Sequence, residues 1–332
     1  MTIWSDTPIQ TRFRVVDGLS IRFAGSEDRT DHALLLSPWP ESLFAFEPMW
    51  VRLAERTHLV AVDLPGFGRS QRRDALLSPR TMGDFVIRVA DAFGLKNPHV
   101  IGPDVGTGAA LFAAALHPGR LRSLVVGGGG TAYPLRLGGV LRDWVEAVDL
   151  DGYRGADPGE LVAGALAGIE RYALPDGVRE DYLSSYDGDR YVESMRYVRA
   201  YPTQLAVLRD LLPWIQTPVQ IIAGARDPVV LPVNAEFLHE RLPRSRLDII
   251  DADPTTAQTA VPGDSIRFIP GANDTALLAA VPTADYEFKH SSGPEWRAGA
   301  PGALGCPVPR PETEPFQRRR VPATRQRRRP IE

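Results

Sequence analysis

A chain of 332 residues, 43% hydrophobic and 24% charged, is long enough for one large core or a core with an inserted domain. Its formal net charge of −3 gives no global signal for nucleic acid or membrane, and its single cysteine, Cys306, excludes an intrachain disulfide framework. The first residues, MTIWSDTPIQTRFRVV, lack the basic segment and apolar core of a secretory signal. No apolar run reaches the ~20 residues of a membrane helix, so a cytoplasmic protein is expected.

Strand-like runs come first at 11–16 (TRFRVV), 19–25 (LSIRFAG), 32–37 (HALLLS), 58–65 (HLVAVDLP), 97–104 (NPHVIGPD) and 121–128 (LRSLVVGG). From residue 32 onward most are continuous apolar runs, the pattern of strands buried on both faces of a parallel sheet. Helical runs fall between them at 41–56, 80–95 and 106–117. Ser78-Pro79 opens the second, because proline is tolerated in a first turn. From 130 to 215 the strand signal disappears and the chain turns helical and aromatic. The alternation resumes with strands at 218–225 (PVQIIAGA) and 245–251 (SRLDIID), around a helix at 231–241 opened by Leu231-Pro232. The pattern predicts an α/β fold with a mostly parallel, doubly wound sheet. Its core spans 1–129 and 216–251, and a helical cap at 130–215 interrupts it. Residues 252–332 are rich in proline, glycine and arginine, with a basic run at 317–330. They are expected to form a divergent, disordered and solvated tail rather than a nucleic-acid-binding arm.

One turn carries candidate chemistry. In VIGPDVGTGAALFAAALHPGR (100–120) a strand runs into a helix through Gly102-Pro103-Asp104-Val105-Gly106. That is the small-x-nucleophile-x-small pattern of a nucleophile elbow, in which a strained turn leaves no room for side chains on either flank. The helix N-terminus favours negative charge at the apex. Alone, the pattern also fits an ordinary turn with a surface aspartate. Three further stretches accompany it: LLLSPWPES (34–42), VDLPGFGRS (62–70) and IIAGARDPVVLP (221–232). In this order they resemble the α/β-hydrolase family over about residues 10–251. They resemble most its aspartate-nucleophile branch, the epoxide hydrolases and haloalkane dehalogenases.

The resemblance implies an α/β-hydrolase fold and a set of roles. Asp104 would attack an sp3 carbon and form an alkyl ester, which a histidine-activated water then hydrolyses. The amides of Trp39 and Val105 would form the oxyanion hole. Asp227, in an Asp-Pro that is also a common turn signal, would orient the histidine. Tyr153 and Tyr197 would hold and protonate an epoxide oxygen. The other cap tyrosines, Tyr172, Tyr182, Tyr186, Tyr191 and Tyr201, compete for that role or for packing. Val105 replaces the tryptophan that dehalogenases usually place after the nucleophile, which favours the epoxide reading. Trp39 or Trp144 remains as a source of an indole N–H. Ser37-Pro38 replaces the family's His-Gly, and no histidine follows the last strand in ADPTTAQTAVPGD. His290 is the only histidine downstream.

The expected function is a hydrolase that opens an epoxide, or displaces a halide, on a small apolar electrophilic substrate through an Asp104 ester. The missing histidine would slow its second step. The alternative is a non-catalytic α/β-hydrolase-fold protein that binds an apolar ligand under the cap. No cofactor or metal is expected, since the remaining histidines are scattered without ligand spacing. A homodimer is an admissible assembly. The glycine-rich VVGGGGTAYPL (125–135) lacks the lysine of a phosphate loop and reads as a hinge into the cap.

Overall fold

The computed structural model describes residues 9–166 and 174–250. The predicted tail at 252–332, with His290, and Tyr172 lie outside the described residues. Eight strands form one sheet: β1 (Thr11–Val16), β2 (Leu19–Gly25), β3 (His32–Leu36), β4 (His58–Val62), β5 (His99–Pro103), β6 (Ser123–Gly127), β7 (Val219–Gly224) and β8 (Ser245–Ile250). Their order is β1-β2-β4-β3-β5-β6-β7-β8. β1 and β2 form an antiparallel edge, β2 meets β4 antiparallel, and every other pair is parallel. The strands predicted from apolar runs all form, trimmed by a few residues at their ends.

The parallel strands are apolar because both faces are covered. Leu34 of β3 pairs with Val60 on one side and Val100 on the other, and all three are buried. Each such side chain contributes about 1.5–3 kcal/mol when taken from water into the core. The crossovers come from α1 (Glu47–Ala54), α2 (Pro79–Ala92) and α3 (Val105–Leu116). The helical run predicted at 41–56 divides into a 3-10 turn at Leu43–Phe46 and α1. Pro48 explains the break, since its missing N–H and fixed φ suit a first turn and not a helix interior. Ser78 caps α2, accepting from the Thr81 N–H, with Pro79 at the first helical position. α2 and α3 approach to backbone contact at Gly83, where a Cβ would lie 2.8 Å from the Ala113 nitrogen.

Between β6 and β7 every described element is helical: α4 (Gly139–Glu146), α5 (Pro158–Leu166), α6 (Asp176–Ser185), α7 (Arg190–Ser194), α8 (Arg196–Arg199) and α9 (Tyr201–Leu211), with short 3-10 turns. α10 (Val233–Arg241) then joins β7 to β8. A buried ionic network ties the helical insertion to the sheet. Arg22 of β2 donates from Nε to Asp63 (2.6 Å) and from both terminal nitrogens to Asp181 of α6 (2.7 and 2.8 Å). Ser42 donates to Asp181 at 2.7 Å, and the Leu43 and Arg69 amides donate to Asp63. Burial opposes the charge on Arg22, but Asp63 and Asp181 outweigh it and raise its pKa above the ordinary value. Burial is also the largest influence on Asp63 and raises its carboxyl despite Arg22. Such a network stabilises only while complete, because removing one partner leaves a buried charge uncompensated.

Candidate active site

Asp104 stands between the last residue of β5 and the first of α3, with φ 49° and ψ −119°. A non-glycine residue held there costs on the order of 1–3 kcal/mol, so the surroundings must impose it. Several groups do so. The Asp104 N–H donates to the Gly127 carbonyl at 2.8 Å. The Thr107 hydroxyl lies 2.9 Å from the carbonyls of both Gly102 and Gly127, a donor for either, and accepts from the Gly127 N–H. A Cβ at Gly102 would come within 2.6 Å of the Gly106 carbonyl oxygen, and one at Gly106 within 3.2 Å of Leu36 Cβ. The small flank at Gly102 is therefore a steric requirement, and Gly106 sits against Leu36 with little room for a side chain.

The carboxylate is half-buried. The Trp39 N–H, from the loop after β3, donates to Asp104 Oδ2 at 2.8 Å, and the Val105 N–H also hydrogen-bonds the group. Burial is the stronger influence. It pushes the Asp104 carboxyl up to about 7 against both amides, and the nearby charge of Asp227 adds to the rise. The nucleophile candidate thus titrates near neutrality. Asp227 follows β7, and its Oδ1 accepts from the amides of Val229 (2.8 Å) and Val230 (2.9 Å). The Asp-Pro turn and the placement of an acid beside Asp104 are one and the same feature.

A cavity of about 360 Å³ opens over Asp104. Trp39, Trp144 of α4 and Tyr191 of α7 line it, with Leu141 and Val229 among the apolar walls. The ring centroids lie 5.2 Å apart for Trp39–Trp144, 5.3 Å for Trp39–Tyr191 and 6.0 Å for Trp144–Tyr191. The Tyr191 hydroxyl makes no hydrogen bond among the described residues, and burial raises its pKa above the ordinary tyrosine value.

The structure brings together Asp104, Val105, Trp39 and Asp227, and it does not bring Tyr153 or Tyr197 to the cavity wall. The Tyr197 hydroxyl donates to the Val105 carbonyl at 2.7 Å, so this residue braces the elbow. Tyr153 ends a 3-10 turn at Asp151–Tyr153 and packs half-buried against the core. Among the described residues no histidine lines the cavity. His99 instead contacts the Ser123 hydroxyl at 2.7 Å at the far end of β5, where burial lowers its pKa to about 4. Also among the described residues, no group of three or more His, Cys, Asp or Glu side chains is arranged to hold a metal, and no helix is long and apolar enough to cross a membrane. Sequence reasoning did not single out Thr107 or the cavity role of Tyr191.

Residues 34–254 match the model of the α/β hydrolase fold family, described as alpha/beta hydrolase fold. The chain belongs to that family. Within the α/β hydrolase fold, it is 29% identical over 249 residues to the candidate carbamate hydrolase RutD of Caulobacter sp. (strain K31), covering 70% of this chain and 87% of the relative. It is 26% identical to the serine hydrolase BPHL of Homo sapiens, covering 71% and 76%. Among solved structures, the esterase EaEST from Exiguobacterium antarcticum superposes with a TM-score of 0.60 at 22% identity, covering 72% of this chain and 90% of that one. That likeness shows the fold alone. The relatives' names are those of carbamate and serine hydrolases, so an aspartate mechanism rests on Asp104 itself.

Proposed function

We propose that this α/β-hydrolase-fold protein is a hydrolase of small electrophiles, with Asp104 as the attacking group. The observation that carries the reading is the apex carboxylate held at Oδ2 by the Trp39 amide beneath a largely apolar cavity. Asp104 Oδ1 attacks an sp3 carbon, a C–O ester bond forms, and the epoxide C–O or carbon–halogen bond breaks. An opened epoxide oxygen takes its proton from the Tyr191 hydroxyl, and bulk water returns one to the tyrosinate. A halide leaves as the anion. Water then attacks Cγ of the ester, and negative charge collects on Oδ2. The Trp39 N–H already points there and the Val105 N–H bonds the same carboxyl group, the arrangement in which oxyanion donors act. Collapse expels the product alcohol and restores Asp104.

The proton of the attacking water needs a base. The family resemblance supplies a histidine for this, and Asp227 is the group that would orient it. A site without that base loses on the order of 10²–10⁴ in the second step while the first proceeds. The test is intact-protein mass after incubation with a panel of small epoxides, haloalkanes and carbamates, beside Asp104→Asn. An added mass, or product, that requires Asp104 supports the reading. Turnover that survives Asp104→Asn, or no adduct and no product across the panel, overturns it.

A further inference from the structure

We propose that the substrate of this cavity carries an alkylated ammonium group, tertiary or quaternary, seated against Trp39, Trp144 and Tyr191 and balanced by the carboxylates of Asp104 and Glu160. The inference rests on the functional reading above for the word substrate, and on the cavity itself for the charge.

Two carboxyl groups, Asp104 and Glu160 of α5, line the cavity, and no lysine, arginine or histidine among the described residues does. The three rings pack against one another at 5.2, 5.3 and 6.0 Å between centroids, two of the contacts edge-on and the Trp39–Tyr191 contact tilted, and together they form one aromatic cluster on the cavity wall. Aromatic faces carry negative potential and attract cations. A cavity walled by aromatic rings and two carboxyl groups, with no cationic side chain among the described residues, leaves room for a ligand to bring the positive partner. The same lining penalises an anionic substrate at both acids. The walls also choose the kind of cation. Val140, Leu141 and Leu161 accept no hydrogen bonds, so the N–H groups of a bare ammonium turned toward them rather than toward the carboxyl groups would lose their water without replacement. Methyl groups on nitrogen remove those donors and leave a soft, weakly hydrated cation, the type that aromatic cages hold.

The neighbouring surface carries the same sign. An open groove of about 470 Å³ between α5 and α6 is lined by residues that include Asp157, Glu160, Glu180 and Asp187. Glu160 belongs to both groove and cavity. None of the four forms an ion pair with a described residue. Acidic side chains beside a cavity concentrate cations near it, an effect that salt weakens.

The experiment titrates wild-type protein with three probes of one shape: choline, its neutral carbon isostere 3,3-dimethylbutan-1-ol, and the anion 3,3-dimethylbutanoate. Calorimetry gives the affinities, and tryptophan emission gives the site. Choline is expected to bind about tenfold tighter than the alcohol at low salt, and the anion weakest of the three. Trp144→Leu should lower choline affinity about tenfold and alter alcohol affinity by no more than about threefold. Glu160→Gln, at an exposed position, should lower choline affinity about two- to fivefold. Choline binding no tighter than the alcohol, absence of binding included, overturns the proposal. So does choline affinity unchanged in both variants. No bond is made in this titration, so its failure is separable from that of the Asp104 reading. An adduct without cation preference removes only the ammonium group from the account. Cation preference without adduct or turnover removes only the nucleophile.

Discussion

Replacing Asp104 with asparagine should stabilise the protein, and by an amount that depends on pH. Burial raises this carboxyl from 3.8 to about 7. A difference of about 3 pH units at about 1.4 kcal/mol each is ~4 kcal/mol. The direction follows from proton counting. Between pH 4 and 7 the folded state holds a proton that the unfolded state has released, so stability falls as pH rises through that window. The favourable contribution of the protonated carboxyl is complete below the unfolded value and gone above about 7. Asp104→Asn cannot ionise. Its amide oxygen can still accept from the Trp39 N–H, and asparagine tolerates the positive φ of 49° better than most residues. Urea unfolding of both proteins at pH 4, 6, 7.5 and 9 measures the effect. The variant should match wild type near pH 4 and exceed it by up to ~4 kcal/mol at pH 9. A difference constant across pH, or one that grows toward acid, would falsify burial as the cause.

The rate of adduct formation on Asp104 should rise about tenfold per pH unit from 5 toward 7 and level off above it, since only the carboxylate attacks; a flat profile in stopped-flow quench experiments would count against the assignment. Gly102→Ala places a Cβ 2.6 Å from the Gly106 carbonyl oxygen, so it should lower stability by about 1–3 kcal/mol and suppress adduct formation together. Asp181→Ala removes two hydrogen bonds from buried Arg22 and should cost about 3–5 kcal/mol in denaturant unfolding, against under 1 kcal/mol if the network is ornamental. The two tyrosines should separate cleanly. Tyr191→Phe should slow epoxide opening by on the order of 10²-fold and spare halide displacement. Tyr197→Phe should cost about 0.5–1.5 kcal/mol of stability through the lost bond to Val105, and should slow both reactions alike.

The strands were legible because their burial on two faces leaves a one-dimensional trace: HALLL and HLVAV are apolar at every position after the first. The elbow was legible because its steric demand falls on two fixed positions, Gly102 and Gly106. The cap tyrosines were not, because a helical sequence does not say which ring turns inward across several short helices. Tyr186 is bound between the Gly68 N–H and the Glu41 carbonyl, Tyr197 is bound to the elbow, and Tyr191 reaches the cavity. The bond between Arg22 and Asp181 joins residues 159 apart, beyond any local pattern. Its one signal was an arginine inside the apolar run of β2, next to buried Ile21. Gly68 carries a related trace: at φ +49°, a Cβ there would sit 2.2 Å from the Asp63 carboxylate that Arg22 binds.

A carboxyl that titrates at about 7 sets two demands against each other at the apex of α3. The apolar cavity that admits an electrophile also raises the cost of the charge that must attack it. The two amides lower that cost only in part, and Asp227 adds to it. A cationic ligand changes the balance, because an opposite charge within ~4–6 Å favours the ionised form. It would face Asp104 and Glu160 as acids and the neutral Tyr191 hydroxyl on the aromatic wall. Binding would then generate the nucleophile and release a proton as the cavity fills. The burial that destabilises the empty site thereby becomes a filter, since a neutral or anionic visitor of the same shape leaves more of the Asp104 carboxyl protonated and unreactive.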